Sequence, residues 1–425
     1  MSNDFSKEEK VAFDEAMIGF SDMEVMAKAV TIKNTDQVAM ARTNDVLWFP
    51  QPYIAQSYDG MDATANFGGS TQLSVPATIG YQKHSTIELD AKELRDALQE
   101  RTLGDAAKKK LASDINKACL NAASNEGTLV IKRTTAAAGY DDVAQCDSIM
   151  NEQGVPDWDR FLALTSRDYN GMAGNLAAST RSFTSNPKSQ EAYERSRVGM
   201  VAGFETLKLD YGNRLTAAAG GAGLTIDTRA SASNYYVPSA VSVGVAGQSS
   251  NVDNRYQTIT ISSTTNVAAG DAFTIADCYA VHHVAKTSTG QLKTFRVISV
   301  DSSTTMTISP PIISNQGGSD AEAQYQNCSM SATASNAAIV FLNTVTAGVN
   351  PFWQKDAIAL LPGRLAIPSD SGVAVRRATT DSGIEVVMTK WTRGETMKTR
   401  YRFDVLFGTA MLNPEMAGIM LFSQS

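Results

Sequence analysis

Histidine and cysteine are scarce in this chain, three and four among 425 residues, and long apolar runs are missing altogether. With so few imidazoles, a histidine-based mechanism has few candidates. His282 and His283 are adjacent, and on a strand they would face opposite ways. Cys119, Cys146, Cys278 and Cys328 are scattered and form no CxxC pair. That excludes the dense disulfide framework of small secreted domains and reads as reduced thiols. Cys278 and His282 have half the spacing of a zinc site, but no second ligand pair follows, so no metal is expected. No apolar run is long enough to cross a bilayer, and the polar start Met1-Ser2-Asn3-Asp4 lacks the pattern of a signal peptide. The expectation is no membrane and synthesis in the cytoplasm. Positive charge is not in excess either. A formal net charge of -7 argues against a protein whose main task is to grip phosphate backbones. GxxxxGK[ST], HExxH and GxSxG are all absent. Gly221-Ala222-Gly223 opens like a dinucleotide loop, but Ile226 holds the third glycine position. No cofactor is expected, and no enzyme.

What is present belongs to a packed chain: 43% hydrophobic and 19% charged residues, too long at 425 for a single ordinary core. Ser6-Lys7-Glu8-Glu9 fits a capping box, and Phe13, Met17 and Phe20 follow on one helical face. This predicts a short helix ending near Gly19 to Ser21 and a second helical stretch over Met23 to Ala29. The apolar stripe docks either on its own domain or on a neighbour. From Asn44 to Asp90 aromatic and β-branched runs alternate with turns at Tyr58-Asp59-Gly60 and Gly68-Gly69-Ser70. Two strands bracketing a long polar loop is the reading, with the loop either reaching over another molecule or packing as a local hairpin. Asp90 to Gly127 is the longest helical signal. Leu111, Ile115, Cys119 and Ala122 form its stripe, Lys110 and Asp114 pair one turn apart, Gly104 is a candidate bend, and Gly127 a left-handed stop.

A mixed α+β stretch follows, with helical pieces at Cys146 to Asn151, Asp168 to Leu176 and Gln190 to Arg195. Ala217 to Gly223 is a small-residue linker. From about Leu224 to Ser335 the chain is rich in Thr, Ser and Val, with short alternating runs at Gln257 to Ile261, Phe273 to Ile275, Thr294 to Val300 and Met306 to Ile308. This predicts an all-β sandwich or barrel inserted in a larger domain. Beyond Ala337 helical and mixed signals resume. Then Met397, Tyr401, Phe403, Val405 and Phe407 alternate with charged residues in a half-buried strand, with Gly383 to Trp391 as its hairpin partner. The long helix is the expected cover for that sheet.

Several local motifs look similar to those of one family. They are Val46-Leu47-Trp48-Phe49-Pro50, Leu94-Arg95-Asp96, Gly127-Thr128-Leu129-Val130-Ile131, Val201-Ala202-Gly203-Phe204, Asn251-Val252-Asp253-Asn254-Arg255-Tyr256, Phe352-Trp353 with Asp356-Ala357-Ile358, and Asn413-Pro414-Glu415. In these, and in the order of its parts, the chain resembles the major capsid (coat) proteins of tailed double-stranded-DNA phages, in particular short-tailed Salmonella-type phages. The resemblance implies an α+β fold of the Hong-Kong-97 type with an inserted immunoglobulin-like domain. Its parts would be an N-terminal arm (1–43), an extended loop (44–89), a peripheral domain made of a spine helix (90–127) with a terminal sheet (384–425), an axial domain (128–222 and 338–383) and the inserted β-domain (223–337). It implies a subunit that self-assembles into hexamers and pentamers of an icosahedral shell enclosing double-stranded DNA, without sequence-specific binding. Scaffolding protein and portal are the implied partners, and the virion capsid the destination. Contacts between subunits are expected at Phe13, Met17, Phe20, Trp48, Tyr58, Asp59, Asp62 and Arg95. Where the family carries a charged loop in the insert, Gly244 to Ser250 is uncharged, so ionic bridging by that loop does not carry over. The rival readings are an adhesive cell-surface protein with a β-sandwich module, which the missing export signal disfavours, and a hydrolase using acidic residues.

Overall fold

The alternation read near the end of the chain becomes the strand Lys398–Met411, in which Tyr401, Phe403, Val405 and Phe407 are buried. Glu385–Arg393 pairs with it antiparallel, Phe403 opposite Met388, and Tyr81–Leu89 runs along its other edge with Ile87 opposite Tyr401. The sheet runs in the order Thr31–Ile32, Ile358–Pro362, Lys398–Met411, Glu385–Arg393, Ala374–Thr379. The computed structural model describes residues 5, 7–34, 46–52, 55, 57, 59–64, 67–90, 93, 97–178, 187–220, 223–226, 235–245, 247–330, 336–367, 372–396 and 398–425. Within it the chain divides into two compact units, Met1–Leu47 with Pro76–Ala122 and Ile358–Ala410, and Trp48–Val75 with Ala123–Ala357 and Met411–Ser425.

In the first unit the apolar face of the sheet takes the N-terminal helix Lys7–Met23. Phe13 and Phe20 are buried, and the Arg376 guanidinium lies 5.6 Å from the Phe13 ring centre while it pairs with Asp14 at 2.7 Å. Glu9 takes hydrogen bonds from Lys390 and from the Tyr401 hydroxyl. Part of the cover expected from the long helix therefore comes from the N-terminal one, whose stripe sits opposite the same apolar strand face. The second helical piece is Val25–Lys28. The long helix, Ala97–Glu126, runs unbroken through Gly104. It buries Leu111, Ile115 and Cys119 as its spacing requires. Asn116 bonds both N-terminal helices, donating to the Met23 carbonyl at 2.8 Å and accepting from the Met26 amide at 3.1 Å.

Gly127, read as a left-handed stop, is not among the residues with positive φ. It is glycine because the backbone is crowded there: a Cβ would lie 2.7 Å from the Ala123 carbonyl oxygen and 3.0 Å from the Gly418 nitrogen. The helix ends by close approach and not by a turn of handedness.

The second unit holds a six-stranded mixed sheet in the order Leu129–Lys132, Ala417–Leu421, Asn350–Gln354, Arg160–Thr165, Phe204–Leu209, Met200–Val201. Helices Tyr140–Gln153, Ser166–Ala178 and Pro187–Arg195 accompany it. Its core joins Val143, Cys146 and Met150 from the first of them to Leu162, Leu164, Phe204, Phe352 and Met420 from the strands. The Asp142 carboxylate begins that helix by accepting the amides of Ala138 at 2.7 Å and Gly139 at 3.2 Å, and Gly154, at φ 80°, ends it.

Two readings of the C-terminal third are corrected here. Among the described residues after Ala337 there is no α-helix, only strands and two 3-10 turns. Asn350–Gln354 and Ile358–Pro362 are buried almost throughout, on both faces, so neither shows the alternation that marks a half-buried strand, and periodicity cannot tell such a segment from a buried helix. The expected division at residue 384 also shifts. Ile358–Pro362 and Ala374–Thr379, expected in the axial domain, belong to the first unit's sheet. Ala417–Leu421, expected in the terminal sheet, lies instead in the second unit, between Leu129–Lys132 and Asn350–Gln354.

The Thr, Ser and Val-rich region folds as antiparallel strands in the order Thr225–Ile226, Ala337–Phe341, Ala272–Val281, Ser288–Val300, Thr305–Ser309, Gln257–Thr260, with Cys328–Met330 also on Ala272–Val281. Just past the last strand Ile261 bridges back to Ile226, and the Ser262 amide donates to the Thr225 carbonyl at 2.9 Å. The ladder thus closes into a small barrel, where an immunoglobulin-like domain would stack two sheets. Closure leaves no long unpaired edge. Ile226, Ile259, Phe273, Phe295, Met306 and Ile308 fill the interior.

Candidate assembly surfaces

Three features of the second unit offer contact surface, and one polar cluster holds its barrel to its sheet. The first surface is the segment between Val46–Pro50 and Ser74–Thr78, two strands that form a ribbon of their own. Its returning limb is tied to the short helix Asp320–Tyr325. Asp320 accepts the Gly69 amide at 2.9 Å, the Gln324 side chain donates to the Gly69 carbonyl at 2.9 Å, and the Tyr325 hydroxyl donates to the Thr71 carbonyl at 2.9 Å. Farther out the segment is bare: Met61 and Phe67 are almost completely exposed. Asp62 is exposed too, and it bonds the amide and hydroxyl of Thr64 at 3.0 and 2.6 Å, which holds its carboxyl below the usual range.

The second surface is the hairpin of Val241–Val243 and Ser249–Asn251, all six residues of which are exposed. Val243 and Val245 project from it without a charged neighbour between Gly244 and Ser250. The third is a set of single exposed aromatics, Tyr140, Trp158 and Tyr193.

Long polar side chains on the barrel wall reach the residues where the long helix ends. Arg296, buried, donates to the carbonyls of Gly270 (3.0 Å), Ser124 (3.2 Å) and Gly127 (3.3 Å). Burial pushes its guanidinium down to about 10, and Asp271 pulls it back up. Thr294 donates to the Thr128 carbonyl at 2.8 Å. Arg255 donates to the Met411 carbonyl at 2.6 Å and lies 3.7 Å from Glu126; burial opposes its charge, but Asp253 and Glu126 outweigh it. Lys293 bonds Glu415, and donates to Gln153 at 2.9 Å. Burial pushes the Glu415 carboxyl up, yet Lys293 and His283 outweigh it and hold it below the usual range. Burial drives the His283 imidazole, 3.6 Å from Glu415, down to about 4.

The eight residues expected at subunit contacts are spread over different surroundings. Phe13 and Phe20 are buried within their own unit, Met17 and Trp48 are half-buried, and Asp59 and Asp62 are exposed. Tyr58 and Arg95 lie outside the described residues. His282, at half a zinc-site spacing from Cys278, follows the strand instead of lying in it and uses Nδ1 to accept the amides of Val284 and Ala285 at 3.2 and 3.1 Å. Cys278 lies in the barrel core. Among the described residues no group of three or more His, Cys, Asp or Glu is placed to hold a metal, and no helix is long and apolar enough to cross a membrane. The polar cluster at the helix end escaped the sequence reading. Its one signal is alternation: with Phe295 and Val297 in the core, Thr294 and Arg296 face the other way, and the pattern does not say what covers that face.

Solved structures similar to this chain include one titled Mycobacterium phage Che8, at 10% identity over 94% of this chain and 92% of that one with a TM-score of 0.46. A capsid structure of the cyanophage P-SCSP1u matches at 11% identity over 93% and 87%, with a TM-score of 0.45. A CUS-3 coat protein I-domain matches at 36% identity over 29% of this chain and 99% of that one, with a TM-score of 0.21. Residues 1–423 match the model of a family of phage coat proteins, which makes this chain a structural capsid protein of an icosahedral shell and not an enzyme. The chain belongs to the P22 coat protein (gene protein 5) family. Its fold is mixed α+β, as expected from the sequence, and with the family shown the adhesive and hydrolase readings are set aside.

Proposed function

We propose that this coat protein closes its shell through hexamers and pentamers around packaged double-stranded DNA, with the extended segment as the part that reaches a neighbouring copy. The observation that carries this is the segment's own geometry. Its returning limb is bonded at Gly69 and Thr71, while Met61 and Phe67 stand almost completely exposed, with none of the described residues over them. Apolar side chains so placed gain their burial on another molecule. Asp59 and Asp62 flank Met61 and supply charge at the same contact, and Trp48 sits at its root. Phe13 and Phe20 act from within, fixing the arm, and Met17, Tyr58 and Arg95 are the remaining contact candidates.

In this reading residues 1–43 are the arm and 44–89 the extended loop, and the barrel over 223–337 is the inserted domain. The long helix with the sheet around Lys398–Met411 is the peripheral domain, and the mixed sheet with its helices the axial domain. Contact by the exposed Val241–Asn251 hairpin is apolar, as its lack of charge dictates. A scaffolding protein and a portal are the assembly partners, and the chain is made in the host cytoplasm before it enters the virion. A net charge of -7 suits a wall that does not hold DNA by its phosphates. Each contact between copies is individually modest, since strong ones trap misassembled shells. Deleting Tyr58 to Ser70 leaves a folded monomer that forms no shells by electron microscopy. Normal particles from that deletion would refute the role given to the loop.

A further inference from the structure

Glu24 stands alone between the helices Lys7–Met23 and Val25–Lys28, and it is 2% exposed. One carboxylate oxygen takes the Ser382 hydroxyl, and the other, Oε1, is buried with no hydrogen-bond partner. The backbone on both sides is satisfied, because Asn116 of the long helix bonds Met23 and Met26. Among the described residues the joint is complete except for one oxygen of one acid, and the groups around it are few. Asp381 and Ser382 come from the turn before Glu385–Arg393, the Cys119 thiol from the long helix, and Lys28 from the second helix of the arm. Ser382 in turn exchanges a hydrogen bond with Thr380 at 2.7 Å. A neutral acid suits this place, since it can donate to the Ser382 oxygen and leaves no bare charge. An ionised one is held against burial and against Asp381, with Lys28 as the one cation among the described residues that favours it.

We propose that the joint at Glu24 is a protonation latch: docking of residues 7–28 on their unit takes up a proton at Glu24, and undocking returns it to water. Burial pushes this carboxyl from 4.5 to about 7, the Ser382 hydrogen bond draws it back, the Asp381 charge adds to the rise and Lys28 opposes it. Because the docked acid is the weaker one, the docked state is favoured in full below pH 4.5. It loses ground as pH rises from there to about 7 and changes no further above that. The arm is thus held most firmly in acid and is freest to move at and above neutral pH.

Hydrogen exchange of residues 7–28 in the full-length monomer between pH 4.5 and 8.5, corrected for the intrinsic rate at each pH, tests this. Protection in the unaltered chain falls by about two orders of magnitude up to pH 7 and then levels off. Glu24→Gln keeps the shape without the proton, and its protection stays high and flat. Ser382→Ala removes the bond that favours the charge, so the fall continues to higher pH. A flat profile in the unaltered chain, or a Glu24→Gln profile that falls in the same way, would overturn the proposal. Should Glu24→Gln fail to dock, a Ser382→Ala profile coincident with that of the unaltered chain would do so.

Discussion

Arg296 shows how a single charged residue can hold a helix end. The last carbonyls of any helix lack partners within it, and the guanidinium supplies them at Ser124 and Gly127 while also reaching Gly270. Replacing it by methionine fills most of the volume but leaves those carbonyls buried and unpaired. Arg296→Met is expected to cost about 2–4 kcal/mol in urea unfolding of the monomer. His283 gives a pH dependence of opposite sign to that of Glu24. Its imidazole is pushed from 6.5 down to about 4, so the unfolded chain takes a proton that the folded chain refuses. Stability from this group is complete above pH 6.5 and is lost as pH falls toward 4, by about 2 kcal/mol once the 20% exposure of the side chain is allowed for. Glu415, held below its usual range, loses its share in the same direction, below 4.5. Unfolding of His283→Gln measured from pH 7 to 4 should lack the first of these declines.

At the scale of elements, the helix Asp320–Tyr325 is the anchor of the extended segment. Its own start is well made, Ser319 and Glu322 capping each other at 3.2 and 3.1 Å. Removing Asp320 and Gln324 together by alanine takes away both bonds to Gly69 and the one the Thr71 amide donates to Gln324 at 3.3 Å, leaves the Tyr325 bond to Thr71, and takes nothing from a hydrophobic core. The double variant should unfold within about 1 kcal/mol of the parent. Exchange at residues 67–73 should speed up, and shell formation, followed by light scattering, should slow. Elements with a strong period were legible in the sequence. The stripes Phe13 to Phe20 and Leu111 to Cys119, and the alternation from Tyr401 to Phe407, each have one wet face that marks them. Asn350–Gln354 and Ile358–Pro362 have none, because both faces are covered, and so no period marks them as strands. Gly127 departs from expectation for a related reason: besides the Ala123 carbonyl, what crowds it is the backbone at Ala417 and Gly418, nearly three hundred residues away, and no local pattern carries that. Of the candidate surfaces, the turn at Tyr58-Asp59-Gly60 is marked in the sequence, while a contact role for Asp59 and Asp62 comes from the resemblance alone. Glu24 and Glu415 take their character from residues far off in sequence, Ser382 and Lys293, and no local pattern marks them.

At the scale of the molecule, the barrel carries a core of its own and a ladder that closes without help from the rest of the chain. Residues 223–343 expressed alone should therefore unfold in one cooperative transition, followed by circular dichroism. A broad, non-cooperative melt would mean that Arg296 and Lys293 draw on the sheet for more than orientation. The closure also fixes where the barrel begins and ends. Its entering strand Thr225–Ile226 and its leaving strand Ala337–Phe341 are hydrogen-bonded neighbours, with Ile226 opposite Ala337. The host chain thus departs and returns across one strand spacing, about 4.8 Å. A gap so narrow makes this position a socket. Foreign modules with adjacent termini can be spliced there without stretching the shell fold, so particles could carry grafted antigens or enzymes in multiple copies.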